Sequence, residues 1–248
     1  LLLLASRAGF RHPGVRPGRV PALAELAALG ALGVAVLSAV LLVTNGADTS
    51  PLLGLFGLGF SARLDAVSAT LLVLVAFVGW IVVRYARTYL DGEDRQGWFT
   101  GWLTATLAAV LLLVQSGNLF QLVITWYAAS FGLQRLLLFY PNRVQAQRAC
   151  RKKAFSARTG TAALLGASAL LAWHFGTTDI ATLLAAARTE ESSAILVVAA
   201  LLLAVAALLK SAQFPMHGWL TEVMETPTPV SALLHAGLVN AGGFLLIR

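Results

Sequence analysis

The sequence predicts an all-α fold: a polytopic bundle of membrane-spanning helices. Three observations lead there. Apolar residues fill 58% of the 248 positions and charged residues only 12%, and the mean hydropathy is +0.79. A soluble domain of this length could not cover so much apolar surface. The apolar runs are long enough for a bilayer core and rich in Leu, Ala and Val. They do not alternate apolar with polar, so barrel strands are disfavoured and helices remain, because backbone polar groups in lipid need partners within the segment.

The elements follow in order. The chain begins LLLLASRAGF without an initiator methionine and stops at Arg248, just after an apolar segment. It reads as a piece of a longer chain, with the tail of one span at its start. Leu1–Leu4 is too short for a signal sequence. A basic loop over residues 5–21 holds Arg7, Arg11, Arg16 and Arg19 among prolines. Spans are expected over about 23–43, 64–83, 98–114, 118–140, 159–175, 193–224 (broken) and 229–247, about seven to eight in a single transmembrane domain. Thr44–Gly59 is a Gly/Pro/Thr-rich connection. Arg84, Tyr85, Arg87 and Tyr89 extend the second span as interfacial anchors.

Charge sets the orientation. The second basic loop, residues 141–158, carries six Lys or Arg residues and no acid, whereas the loop from Asp179 to Glu191 is acidic. Strict alternation of spans puts loops 5–21 and 141–158 on the same side. The positive-inside rule makes that side cytoplasmic, in a cell inner (plasma) membrane. Cys150 lies in the second loop and is expected to be open to thiol reagents from that side. The net charge of +7 is explained by these loops; no basic stripe interleaved with aromatics points to nucleic acid.

Several chemistries find no support. With one cysteine no internal disulfide forms. His12, His174, His217 and His235 do not fall at metal-ligand spacing, and there is no phosphate loop or nucleophile elbow. No cofactor and no catalytic site of its own are expected in this chain.

The informative stretch is KSAQFPMHGWLTEVMETPTPVSALLHAG, Lys210–Gly237. It sets a lysine, two glutamates and three prolines between apolar runs. As one straight helix, residues 193–225 would extend about 50 Å against a core of about 30 Å, so the segment breaks, tilts or leaves the membrane. Pro215 removes a backbone donor and clashes one turn back. Ser211 and Gln213 offer polar groups to the freed backbone. A helix interrupted at Lys210–Pro215 fits, and broken membrane helices line water-filled paths or ion sites. On spacing alone, Lys210 is either such a site or a helix-end lysine that snorkels to the interface. Glu222 and Glu225 by themselves read more readily as plain interfacial charges than as site residues. His235, past the N-terminal Thr228-Pro229 pair, is either a structural hydrogen-bonding group or a proton relay.

The same stretch resembles a signature of the antiporter-like superfamily, which contains subunit L of NADH–quinone oxidoreductase and the large subunits of Mrp-type cation/proton antiporters. Relatives read roughly KSAQ-x-P, then W-L-x-x-A-M-x-x-P-T-P-V-S-A-L-x-H-A. Arg63-Leu64-Asp65-Ala66-Val67-Ser68 and Arg84-Tyr85-Ala86-Arg87-Thr88-Tyr89 also look like family segments, and the likeness runs over Gly59–Arg248. The resemblance implies about fourteen helices in two inverted repeats, each with a lysine on a broken helix. This chain would hold the first repeat. Lys210 would then exchange protons or sodium ions, with His235 the next relay and Ser211, Gln213, Glu225, Arg158 and Asp65 along the pathway.

Two departures stand out. Where relatives place an acid after a tryptophan, paired with the lysine, this chain has Trp126-Tyr127, so Tyr127 is expected at mid-bilayer beside Lys210. Where many carry an acid after Arg-x-Gly, this chain has Arg158-Thr159-Gly160-Thr161.

Ala129–Arg158, ASFGLQRLLLFYPNRVQAQRACRKKAFSAR, resembles a narrower branch, the DabB membrane subunits of DAB inorganic-carbon pumps. That likeness implies a DabA-like partner holding zinc and a coupling of cation entry to conversion of CO2 to bicarbonate. A proton-translocating subunit L, an Mrp-type antiporter subunit and a membrane scaffold with idle polar residues are the alternatives.

Overall fold

The computed structural model describes residues 1–55, 58–190, 193–221, 223 and 226–247. The long helices begin where short polar side chains can hold free backbone amides. Asp65 and Ser68 form a reciprocal capping box on α3 (Ala66–Tyr89), Asn118 caps α5 (Leu119–Leu137), and Ser193 caps α8 (Ala194–Lys210). Before these come α1 (Leu2–Arg11) and α2 (Val20–Asn45); α4 (Gln96–Val114) lies between α3 and α5 in sequence. After α5 run α6 (Val144–Phe175) and α7 (Ile180–Ala187). Beyond α8 lie a short α9 (Gly218–Thr221), α10 (Thr228–Leu233), a π-helical turn (Leu234–Leu238) and α11 (Asn240–Ile247). Between α2 and α3, β1 (Asp48–Thr49) pairs antiparallel with β4 (Arg63–Leu64), and β2 (Leu53–Leu55) with β3 (Leu58–Phe60).

Among the described residues, four helical stretches are long and apolar enough to cross a membrane: α2, α3, α4 and Thr228–Ile247. Their burial differs. The most apolar window of α4 is 78% buried and that of α2 only 17%, so α4 is the centre of the bundle and α2 faces outward, where lipid covers its leucines. Around α4 pack α1, α3 and α5; α6 packs on α5 and α8. Threonines inside the bundle return their hydroxyl protons to the carbonyl one turn back, as Thr104 does to Thr100 (2.8 Å) and Thr125 to Gln121 (2.7 Å), so these hydroxyls are paired within their own helices.

Two expected loops are helices instead. Residues 2–11 form α1, which docks on α4 because glycines meet. A Cβ on Gly9 would stand 2.7 Å from the Gly97 carbonyl oxygen and the Gly101 nitrogen. The basic segment expected as loop 141–158 is mostly the first half of α6, a helix of 32 residues. After Pro141 and Asn142 nothing there breaks a helix, and Ala, Gln, Arg and Lys are good helix formers. Ala146, Ala149, Cys150, Lys153, Ser156, Gly160, Ala163, Leu164 and Ala167 form its buried stripe at helical spacing. Cys150 is 4% exposed, so the expected reactivity toward reagents gives way to burial.

The two ends of the bundle are chemically distinct. At one end a polar knot ties loops together. Asn118 Nδ2 donates to the Gly59 carbonyl (2.9 Å), the Ser61 amide donates to Gln121 Oε1 (2.9 Å), and Ile180 donates to Gly117 (2.9 Å). The other end carries charge. Arg87 and Arg84 reach Glu25 at 3.1 and 3.8 Å, Arg16 reaches Asp91 at 3.1 Å, and Arg95 stacks 4.1 Å over Trp98. There the Tyr140 hydroxyl donates to Glu93 (3.1 Å). Burial first, and then this carboxylate, holds the phenol above its ordinary range.

Candidate functional site

Helix α8 ends at Lys210, and the reason lies in the residues after it. Ala212 takes a left-handed conformation (φ 51°), and the Gln213 amide donates back to the Leu208 carbonyl (3.1 Å). Those are the marks of a Schellman end, with alanine where glycine is usual. The other end carbonyls of α8 are also used: Ser211 N donates to Ala207 (2.9 Å), and the Ser156 hydroxyl of α6 donates to Leu209 (3.1 Å). Ser211 Oγ reaches the Val239 carbonyl just past the π turn (3.1 Å). The break expected at Lys210–Pro215 thus holds the Ala207, Leu208 and Leu209 carbonyls in hydrogen bonds, as membrane surroundings favour.

Lys210 turns from this break toward α5. Its Nζ donates to Ser130 Oγ (2.7 Å) and to the Trp126 carbonyl (3.2 Å), and lies 4.5 Å from the centre of the Trp126 ring. A second lysine reaches the same residue from α6: Lys153 Nζ donates to the Ser130 carbonyl. Lys153 is 4% exposed. The two amines, Ser130, Ser156, Trp219 and Leu234 line a cavity of about 20 Å³, room for about one water molecule. Trp219 Nε1 is buried beside it without a hydrogen-bond partner among the described residues. No carboxylate lines this cavity among the described residues. Across the Ser130–Ala157 wall lies a wider groove of about 290 Å³, lined by Tyr127, Gln134, Arg135, Arg158 and Thr161.

Of the residues singled out by sequence, Lys210 stands at the cavity, and Ser211 and Gln213 shape the helix end behind it. Tyr127 is not beside Lys210: it is 55% exposed and faces the groove, stacked on Phe131 at 6.1 Å. Helical phase explains this, because Trp126 and Ser130 share one face of α5 and the next residue is turned by about 100°. Arg158 lies with Tyr127 in that groove. Asp65 caps α3 and pairs with Arg63 at 3.1 Å. His235 sits on the π turn with its side chain exposed and does not line the cavity. Glu225 lies outside the described residues.

Sequence reasoning missed Lys153 and Ser130. The buried stripe of small residues on α6 runs through Lys153, while Arg151 and Lys152 fall on its exposed side. Following that period across the basic segment finds it. The π turn has no comparable signal.

Residues 116–248, which hold Lys153, Lys210 and Ser130, match the family model described as NADH:quinone oxidoreductase/Mrp antiporter, transmembrane. The chain belongs to that family. Residues 52–100 match the model of the N-terminus of complex I chain 5. Within the family the chain is DabB-like. It is 44% identical over 183 residues to the probable inorganic carbon transporter subunit DabB of Hydrogenovibrio crunogenus, covering 73% of this chain and 35% of that one. It is 40% identical over 204 residues to a second such subunit of Halothiobacillus neapolitanus, covering 82% and 37%. The chain thus spans little more than a third of the length of these relatives. In structure it is similar to a chain of the Mrp complex of a Dietzia species, with a TM-score of 0.76 and 27% identity over 100% of this chain and 28% of that one. The protein is a multi-pass, all-α membrane member of the antiporter family, with a helix broken after Lys210.

Proposed function

We propose that this family member conducts protons through Lys210 and couples their entry to uptake of inorganic carbon, together with a DabA-like zinc-containing partner subunit. The observation behind the reading is the pair of lysine amines at the helix break, in a water-sized cavity with no described carboxylate. Sodium ions seek oxygen ligands and negative charge, and ammonium groups repel them; a proton is the cation this chemistry accepts. The carbon branch of the proposal rests on the likeness to subunits described as inorganic carbon transporters. Zinc, in this reading, belongs to the partner, and the chain's own residues supply the conducting path. His235, exposed on the π turn, would extend that path toward whatever packs on this face.

The test uses the full-length subunit with its partner in membrane vesicles. Labelled bicarbonate should accumulate when a proton gradient is imposed and stop when a protonophore collapses it. Accumulation that survives the protonophore and follows a sodium gradient would overturn the proton reading. Proton movement driven by NADH oxidation, with no carbon accumulation, would place the chain among respiratory subunits.

The same reading puts the charged end of the bundle in the cytoplasm of a cell whose inner membrane it spans. Because Cys150 is buried, an exposed probe is needed: Arg148→Cys in a Cys150→Ala background. An impermeant maleimide should label it in inverted vesicles and not in intact cells. Labelling in intact cells would reverse the topology.

A further inference from the structure

Two amines converge on one residue of α5, and the Lys210 mechanism by itself uses only one of them. Lys153 rises from α6 to the Ser130 carbonyl, Lys210 crosses from α8 to the Ser130 hydroxyl, and both face the same cavity. Like charges this close, away from bulk water, disfavour double protonation, since the second charge meets both repulsion and desolvation. An opposite charge would relieve this, yet no Asp or Glu among the described residues lines the cavity or the adjoining groove.

We propose that Lys153 and Lys210 form a single proton-binding site whose two amines share one positive charge. The inference rests on the reading of Lys210 as the proton carrier and adds the group that discharges it. A proton arriving at Lys153 raises the pair to two charges. The proton on Lys210 then leaves for the water-sized cavity, the Lys153 proton passes across that cavity to Lys210, and the pair returns to one charge with Lys153 free to accept again. Ser130 suits both states. Its hydroxyl accepts from the ammonium form of Lys210 and donates to the neutral amine, and its carbonyl accepts from Lys153. In place of attraction from an acid, the site works by repulsion from a second base. The other titratable or charged groups nearby are Cys150 one turn earlier on α6, Arg135 and Tyr127 of α5 and Arg158 of α6 at the groove. The π turn contributes only the exposed His235, and α9 brings the uncharged Trp219.

The experiment measures proton flux against pH in vesicles holding the complete complex with wild type, Lys153→Gln, Lys153→Arg or Lys210→Ala. Lys153→Gln removes the repelling charge, so Lys210 holds its proton to higher pH. Flux should fall, because the discharging group is gone, and the midpoint of the remaining profile should rise, by about one pH unit or more for a nearby buried charge. Lys153→Arg fixes a permanent charge at the same place and should move the midpoint the other way. Opposite movements by the two variants are the expected signature; movement in one common direction, or none, overturns the shared site. If Lys153→Gln does not assemble, Lys153→Met keeps the linear stem and has the same expected rise. A profile that shifts when chloride is replaced by gluconate would put an anion between two ammonium groups and also overturn the proposal. Normal flux in Lys210→Ala would instead sink the reading on which it rests.

Discussion

Lys210→Ala is expected to abolish gradient-driven carbon uptake while the subunit still inserts and assembles with its partner. The alanine loses the amine that meets Ser130 Oγ and the Trp126 carbonyl but little apolar contact, and α8 keeps its Schellman end because that is made by backbone atoms of Leu208 and Gln213. A positioned proton-transfer group contributes about 10² to 10⁴ in rate, so uptake should fall by about 100-fold or more. Lys210→Arg should fail nearly as badly. Its charge is right, but guanidinium does not give up its proton under physiological conditions. Uptake of bicarbonate per assembled complex is the measurement. Wild-type uptake in both variants would leave Lys210 as an interfacial lysine and remove the basis of the mechanism.

Gly242→Ala should destabilise the helix contact at the break. A Cβ at 242 would stand 2.2 Å from Ser211 Oγ and 2.4 Å from the Ala207 carbonyl oxygen. The second contact is backbone, so it cannot turn aside; α11 must lift from α8 at the break. Overpacking of this kind costs about 1–3 kcal/mol. Gly243, the next residue, has nothing within 4 Å of its would-be Cβ, so Gly243→Ala is the internal control. The thermal midpoint of the detergent-solubilised protein should drop for Gly242→Ala and stay put for Gly243→Ala. Carbon uptake should fall with it, because Ser211 holds the Val239 carbonyl from the same place. Equal midpoints for the two variants would contradict the close approach of the helices.

The sequence exposed the break more clearly than it exposed the site around it. Pro215 and the polar run after Lys210 could not lie in one straight helix, and the chain indeed leaves α8 at Ser211. Lys153 was hidden by its neighbours. Arg148, Arg151 and Lys152 give the segment the composition of a solvated loop, whereas the small residues at helical spacing pull one lysine of the run inside. Tyr127 was assigned to the site by position in a motif, but a position is not a direction, and one residue of helical phase turns it into the groove. Asp65, read as part of a family segment, caps α3 with Ser68 and pairs with Arg63. The π turn over Leu234–Leu238 needs one extra residue in a helical turn, closed by the Val239 amide donating to Leu234 (3.1 Å). Nothing in LHAGL distinguishes that turn from regular helix. The first helix was missed because four arginines among prolines dominated the reading of residues 5–21, while glycines that meet across α1 and α4 set its fold.

The central claim is that protons pass through the lysine site at the break of α8. Its most direct test is proton flux into sealed vesicles holding the complete complex, followed with an internal pH dye after an acid pulse. Wild-type vesicles should acidify on addition of carbon substrate, and vesicles with Lys210→Ala should not acidify above the lipid leak. Equal acidification in the two preparations would contradict the account.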